Sequence, residues 1–174
     1  MIIPAFLSPL GVIAIAQATA ADLPTAIAIL DEAATRLVAR GIRQWSSPPP
    51  PGLWRLLENE IHTGHLYLAR LATDQRPIGV FRLRWEDAYW ATAAGTAGYL
   101  HSFALCTDAC GYGIGTQILG WIGAHLRDHQ RDYLRLDCIA TNTRLRRYYE
   151  EQGFRYRGQV VDGDYTLALY ELSL

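Results

Sequence analysis

The chain has 174 residues, with 16 basic and 17 acidic side chains and a formal net charge of −1 at pH 7. A charge this close to zero gives no electrostatic reason to bind a nucleic acid or an anionic membrane surface, so we expect neither as a partner. The length suits a single domain, residues 1–174. Three cysteines without a CxxC pair favour a reducing compartment over a disulfide framework or a zinc site, and we expect a cytoplasmic protein without a metal.

The first twenty residues are apolar enough to suggest a signal peptide. No Lys or Arg precedes the apolar run, however, and Pro4, Pro9 and Gly11 interrupt any continuous helix. We therefore interpret Val12 to Gln17 as the first strand.

A first helix follows this strand. Asp22 and Pro24 are typical of a helix start, as a capping carboxylate and an early proline, and apolar residues then recur at helical spacing until Gly41. Residues 43–54 contain four consecutive prolines and are predicted to be neither helix nor central strand. A short helix is predicted over Leu53 to Ile61.

The middle of the chain is predicted to form strands. Leu66 to Leu71 and Ile78 to Trp85 are separated by the turn-forming residues TDQRP, which predicts a hairpin. A loop from Glu86 to Gly98 leads to a further strand from Tyr99 to Cys106.

The last third of the chain alternates between helix and strand patterns. Periodicity predicts a helix over Ile114 to Leu126, a strand over Tyr133 to Ala140 and a helix over Thr141 to Gln152. Phe154 to Val161 and Tyr165 to Leu172 are predicted to form a final hairpin. The sequence thus predicts an α/β (α+β) fold with a mixed central sheet of six to seven strands flanked by about four helices.

The stretch CGYGIG, residues 110–115, stands between a predicted strand and a predicted helix. Its alternate glycines let backbone N–H groups approach a phosphate, and the following helix directs the positive end of its dipole to the same point. A dinucleotide-binding GxGxxG is excluded because Thr116 and Ile118 stand where the third glycine is needed. A P-loop is excluded because Thr116 and Gln117 replace its Lys and Ser or Thr. The loop is predicted to bind a nucleotide-like cofactor.

Two segments, together with the order of the elements, resemble the GNAT superfamily of acetyl-CoA-dependent N-acetyltransferases over roughly residues 12–172. HSFALCTDACGYGIGTQIL is similar to the family's fourth strand and pyrophosphate loop, and NTRLRRYYEEQGF is similar to its later motif of Asn142, Tyr149, Gly153 and Phe154. Cys110 stands where the family usually has Gln or Arg. The resemblance therefore implies weakened rather than abolished cofactor binding, because backbone N–H groups form most of such a nest.

The resemblance implies transfer of an acetyl group from acetyl-CoA to a primary amine by direct attack in a ternary complex. In the family, the pantetheine arm pairs with the fourth strand, and the N–H of Leu105 would face the thioester oxygen. The implied cofactor-binding residues are Phe103, Ala104, Leu105, Cys110, Gly111, Tyr112, Gly113, Ile114, Gly115, Thr116, Asn142 and Tyr149.

Two of these residues have alternative roles. Tyr149 resembles the tyrosine that protonates the departing thiolate in many family members, and it is alternatively a packing aromatic. Asn142 resembles a side-chain contact to the cofactor arm, and a helix N-cap is an equal alternative.

The amine must lose a proton before it attacks, since an alkylammonium group titrates near pH 10.4. His101 is the best-placed base, because family members that acetylate arylalkylamines carry a histidine in the motif HxLAV, which compares with HSFAL here. Asp137 on the neighbouring strand and ordered water remain alternatives.

The acceptor pocket is expected to include Trp45, Glu86, Trp90 and Tyr99. Aromatic walls with nearby carboxylates would attract a cationic amine, on a small molecule or a peptide. The alternative for each residue is loop anchoring or a solvated turn.

Two other functions remain open, a catalytically silent acyl-CoA-binding module and an interaction protein of the same fold. Half of the residues are hydrophobic and 19% are charged, which makes a homodimer a further expectation.

Overall fold

A computed structural model of the protein describes residues 3–174. The described part contains four α-helices and one mixed eight-stranded sheet of order β1-β2-β3-β4-β5-β6-β8-β7. The strands are β1 Ile3–Ser8, β2 Gly11–Gln17, β3 Leu66–Leu71, β4 Pro77–Arg84, β5 Ala97–Leu105, β6 Tyr133–Ile139, β7 Arg155–Asp162 and β8 Tyr165–Ser173. The helices are α1 Leu23–Val38, α2 Pro51–His62, α3 Ile114–Asp128 and α4 Thr143–Glu151. The α/β fold class predicted from the sequence is confirmed.

The chain forms two compact units. The first contains the described residues up to Leu83 together with Ser102–Gln117, and the second contains Arg84–His101 together with Ile118–Leu174. The predicted hairpins are present as the antiparallel pairs β3–β4 in the first unit and β7–β8 in the second.

The strand count is one higher than the largest number predicted, because the apolar N-terminal stretch forms β1. This strand pairs antiparallel with β2 through a turn in which Gly11 has φ +116°. A proline in β1 is tolerated because β1 is an edge strand, where an outward N–H has no partner to bond. The first two residues of the stretch lie outside the described residues.

The prediction that residues 43–54 contain no helix was wrong at their C-terminal end. Helix α2 begins at Pro51, and the extended Pro50 is its N-cap residue. A proline fits the first helical position because its fixed φ is helical and its missing N–H would have had no intrahelical partner there. The other prolines precede the helix, as expected.

Helix α1 buries one face against the sheet of the first unit. Five of its buried residues, Ala26, Ile27, Ile29, Leu30 and Ala33, form an apolar core with Leu57, Leu66, Leu68, Val80 and Ala104. The Asp22 carboxylate was predicted to cap α1, but it accepts no capping hydrogen bond from this helix. It accepts hydrogen bonds from the Thr19 N–H at 2.8 Å and from Arg70 at 2.5 Å, and so links the helix start to β3.

In the second unit, β5 and β6 run parallel, with Tyr99 opposite Arg135 in the register. Alternation along each strand places Tyr99, His101, Arg135 and Asp137 on one face of this part of the sheet. Gly98 lies on the other face, where a Cβ atom would be 2.3 Å from the Leu126 side chain of α3. The glycine therefore allows close packing of α3 on its face of the sheet. The opposite face carries the four polar side chains.

Candidate active site

The predicted phosphate loop lies in the first unit, between β5 and α3. Gly111 and Gly113 have φ values of +87° and +72°, which L-residues adopt only with strain. A Cβ atom at either position would meet nothing within 4 Å, so the backbone conformation, rather than lack of space, requires glycine here. The exposed loop leads directly into the N-terminus of α3 at Ile114. Exposed N–H groups at a helix start are the donors that a phosphate needs.

Polar contacts from α1 hold the entrance to this loop. Arg36 donates from Nη2 to the Leu105 carbonyl and from Nη1 to the Thr107 hydroxyl, both at 2.6 Å. Glu32 accepts from the Thr107 N–H at 2.8 Å and from its hydroxyl. The hydroxyl bond lowers the pKa of Glu32 below its usual value, against the effect of burial. We call Glu32, Arg36 and Thr107 the α1 clamp.

The α1 clamp was not predicted from the sequence. Glu32 and Arg36 are an i,i+4 pair, a pattern typical of a solvated helix face, and they also bond to each other at 3.1 Å. Only the fold brings them to Thr107.

The last residues of β5 present a defined backbone edge. The Cys106 N–H donates to the Ile78 carbonyl of β4 at 2.9 Å. Because N–H groups alternate in direction along a strand, those of Phe103 and Leu105 point away from β4, and that of Ala104 points toward it. Ser102, with φ +50°, interrupts the regular strand just before this segment.

Cys110 is exposed, and its thiol donates to the Cys106 carbonyl at 3.3 Å. The other two cysteines are less accessible. Burial raises the pKa of Cys106 to about 11 and that of Cys138 to about 12. Neither of these two thiols is therefore ionised near neutral pH, as a thiolate nucleophile must be.

His101 lies between two carboxylates in the second unit. Its Nε2 is 2.9 Å from an oxygen of Asp87, and its Nδ1 is 3.7 Å from an oxygen of Asp137. The distances favour the tautomer in which Nε2–H donates to Asp87 and Nδ1 keeps its lone pair. The two candidate bases named from the sequence, His101 and Asp137, therefore belong to one cluster, and Asp87 is its third member.

Asp87 is held in place by two donors. Burial alone would raise the pKa of Asp87, but hydrogen bonds from His101 and from the Tyr89 N–H bring it below its usual value. Asp87 is therefore a carboxylate at neutral pH. The three side chains also offer ligand atoms within 4.8 Å of one another, a donor set that a divalent cation accepts.

Asn142 and Tyr149 lie at either end of α4. The Asn142 side chain accepts from the Leu145 N–H at 3.1 Å, so it is the N-cap of this helix. Tyr149 is buried against the rings of Phe154 and Tyr170, and burial raises its pKa well above the usual value. Both residues thus have the structural roles that the sequence left as alternatives, and their roles toward a cofactor remain predictions.

The residues expected in the acceptor pocket are not all in one unit. Trp45 packs against the apolar core of the first unit. Trp90 and Tyr99 belong to one buried cluster in the second unit, where Glu86 is exposed. Among these four, the structure places together only Trp90 and Tyr99.

Comparison with known proteins agrees with this geometry. Residues 32–154 match the family model described as Acetyltransferase (GNAT) family. The chain is 24% identical over 148 residues to the uncharacterized N-acetyltransferase YesJ of Bacillus subtilis, covering 82% of this chain and 81% of the relative.

Solved structures show the same fold. A GNAT-family acetyltransferase from Listeria monocytogenes superposes with a TM-score of 0.81 at 21% identity, covering 98% of this chain and 100% of the other. The NatC complex bound to Gag peptide and CoA contains a chain with a TM-score of 0.66 at 14% identity, covering 93% and 98%. Among the residues that the structure describes, no helix combines the length and the apolar character needed to span a membrane.

Proposed function

Because the chain belongs to the acetyltransferase (GNAT) family, we propose that it transfers the acetyl group of acetyl-CoA to a primary amine of a small molecule or peptide. The observation that carries the proposal is the loop with left-handed Gly111 and Gly113 at the start of α3. Because of the family membership, we expect the phosphate groups that bind to this loop to be those of acetyl-CoA.

The loop and β5 would hold acetyl-CoA. Backbone N–H groups from Gly111 to Thr116 bind the pyrophosphate, since the Cys110 N–H already donates to the Thr107 carbonyl at 3.2 Å. The α3 dipole adds to the attraction. Phe103 and Leu105 pair with the pantetheine arm, because their backbone groups point away from β4. The Leu105 carbonyl already accepts from Arg36, so the Leu105 N–H is the donor that remains for the thioester oxygen. Bound acetyl-CoA supplies the thioester and a thiol leaving group.

The remaining residues of the proposed site transfer protons or position the substrate and the cofactor. His101 accepts the proton of the substrate ammonium group at Nδ1, while Asp87 holds Nε2–H and stabilises the imidazolium that forms. Asp137 attracts the cationic amine to the same point. Tyr149 donates the phenol proton to the leaving thiolate, and Asn142 contacts the cofactor arm.

Isothermal titration calorimetry with acetyl-CoA tests the loop, with NADH and ATP as controls. We expect micromolar acetyl-CoA binding and no comparable binding of the controls. Gly113→Ala should weaken acetyl-CoA binding roughly tenfold, because a left-handed L-residue costs about 1–2 kcal/mol. Gly120→Ala is the matched control, since Gly120 lies exposed within α3 without positive φ and has open space around its Cα. A folded wild-type protein that binds no acetyl-CoA would contradict the proposal.

A catalytically silent acyl-CoA-binding module is the second candidate, favoured by Cys110 in the loop and by the burial of Tyr149. The two candidates differ in thiol release from acetyl-CoA in the presence of an amine panel. Turnover that falls by roughly 10² to 10⁴ in Tyr149→Phe supports an enzyme with a phenol proton donor. Tight cofactor binding without thiol release for any amine supports the silent module.

We also propose a reducing location for the protein and a homodimer, as expected from the sequence. The first is supported by three free thiols in the structure. Light scattering at micromolar concentration tests the second.

A further inference from the structure

The second unit contains a cavity of about 240 Å³ beside the cluster of Trp90 and Tyr99. At about 30 Å³ for each molecule of liquid water, this volume corresponds to roughly eight waters, which suits a small ligand. The residues that line the cavity include Trp90, Tyr133, Arg135, Arg157, Leu169 and Glu171.

Arg135 is a fixed cation in the wall of this cavity. Its side chain is 1% exposed, and it donates to Glu171 at 2.8 Å, to the Tyr99 hydroxyl at 3.2 Å and to the Ala94 carbonyl. The guanidinium also lies 5.0 Å from the ring centroid of Trp90. Arg135 is therefore a rigid part of the wall that contributes positive potential.

Arg157 is a second cation, and it is accessible. Its side chain is 55% exposed, and its Nε lies 3.5 Å from the second carboxylate oxygen of Glu171. Glu171 is thus shared between two guanidinium groups. The three charged groups that line the cavity sum to one positive charge, which favours an anionic ligand.

Trp90 provides an independent indication of a ligand. Its side chain lines the cavity and is 5% exposed, and within residues 3–174 no group accepts a hydrogen bond from its indole N–H. A buried donor without an acceptor costs free energy. An anionic oxygen in the cavity would supply the acceptor, and the ring would provide an apolar wall beside it.

The cavity lies on the same face of the sheet as the proposed base. Tyr99 and Arg135 stand opposite each other in the β5–β6 pair, and His101 and Asp137 follow two residues later on the same strands. Two residues of a strand advance about 7 Å, so the arginine and the histidine cluster are separated by about that length along the sheet. A short molecule can reach both.

We propose that this cavity binds the carboxylate of the acceptor substrate, and that the acceptor is an ω-amino carboxylate long enough to span at least the roughly 7 Å between Arg135 in the cavity wall and the histidine cluster. The inference rests on the proposed function, since it assigns the amine end of the substrate to His101. Arg157 and the Trp90 indole N–H donate to the carboxylate. Arg135 and Glu171 position these donors without contacting the substrate.

A matched pair of acceptors tests the proposal in a thiol-release assay. 6-Aminohexanoate and n-hexylamine have the same chain length and differ in the terminal carboxylate, and 3-aminopropanoate is a shorter amino carboxylate. We expect kcat/KM for 6-aminohexanoate to exceed the values for the other two at least tenfold. n-Hexylamine has no carboxylate to accept the charged hydrogen bond, and 3-aminopropanoate is too short to reach the donor in the cavity while its amine lies at His101. Equal kcat/KM values for 6-aminohexanoate and n-hexylamine would overturn the proposal.

Two variants test whether Arg157 and Trp90 recognise the substrate carboxylate. Arg157→Gln should reduce the preference for 6-aminohexanoate over n-hexylamine roughly tenfold. Arg155→Gln is the matched control on the same strand, because Arg155 is exposed and does not line the cavity. Trp90→Phe keeps a ring and removes the N–H, and it should lower the same preference. A preference that survives in Arg157→Gln as in Arg155→Gln would contradict the assignment.

Calorimetry with 6-aminohexanoate in the absence of acetyl-CoA separates this inference from the proposed function. Binding by the wild type that is lost in Arg157→Gln, without any thiol release, would support the cavity and overturn the acetyltransferase. Acetylation of n-hexylamine without binding of 6-aminohexanoate would overturn the cavity assignment and leave the acetyltransferase standing.

Discussion

At the scale of the residue, His101 depends on Asp87. Because Asp87 accepts from Nε2 at 2.9 Å, it fixes which ring nitrogen is left to take a proton. Asp87→Asn should lower kcat about tenfold to a hundredfold, because the imidazolium that forms at His101 loses the carboxylate that stabilises and orients it. Steady-state rates near neutral pH measure the loss.

Glu86→Gln is the control for that experiment. Glu86 is the exposed neighbour of Asp87, so its replacement removes the same charge from the same loop without touching the imidazole. An equal fall in kcat in both variants would show a general effect of the lost charge, and Asp87 would then have no specific role.

Residue spacing in the sequence found His101 and Asp137 but did not pair either with Asp87. Asp87 lies fourteen positions before His101 in a loop, where periodicity carries no information about contacts. The sequence does carry a signal for the position of Arg135. It is a charged residue within the alternating strand YLRLDCI, so it had to lie on the same face as Tyr133 and Asp137.

At the scale of the element, the α1 clamp joins a helix to the end of a strand. Arg36→Ala should weaken acetyl-CoA binding roughly tenfold, because charged hydrogen bonds to Leu105 and Thr107 are lost next to the proposed pantetheine edge. Calorimetry measures the change. Arg40→Ala, just beyond the C-terminal end of the same helix, should leave the affinity unchanged. An equal loss of affinity in both variants would show that the contacts of Arg36 to Leu105 and Thr107 have no specific effect on binding.

Most elements could be predicted because their patterns are local. Helix α3 and the strands β3, β4, β6, β7 and β8 agree with the predicted ranges to within about three residues. The two failures, β1 and the start of α2, both involve prolines. Proline excludes a residue from the interior of an element, but the sequence alone does not show whether a position is interior, at an edge or at a first turn.

At the scale of the whole molecule, carboxylates in both units predict how stability depends on pH. Hydrogen bonds lower the pKa values of Glu32 in the first unit, and of Asp87 and Asp132 in the second. A carboxyl group whose pKa is lower in the folded state binds more protons when unfolded, so it stabilises the fold above its unfolded pKa. This contribution is lost as the pH falls below about 4, toward and through the folded value.

Thermal unfolding between pH 6 and pH 2.5 tests this expectation. The Tm should be nearly constant at the upper end and should fall below about pH 4, by about 2–4 °C for each kcal/mol lost in a chain of this size. Asp132 accepts from the N–H and the hydroxyl of Thr96, so Asp132→Asn should make the fall shallower than in the wild type. Glu86→Gln removes an exposed carboxyl of the same unit and should leave the slope as it is. If Asp132→Asn left the slope as steep as in the wild type, the acid sensitivity would originate in groups other than the Thr96–Asp132 contact, and a double variant with Glu32→Gln would show whether the first unit supplies it.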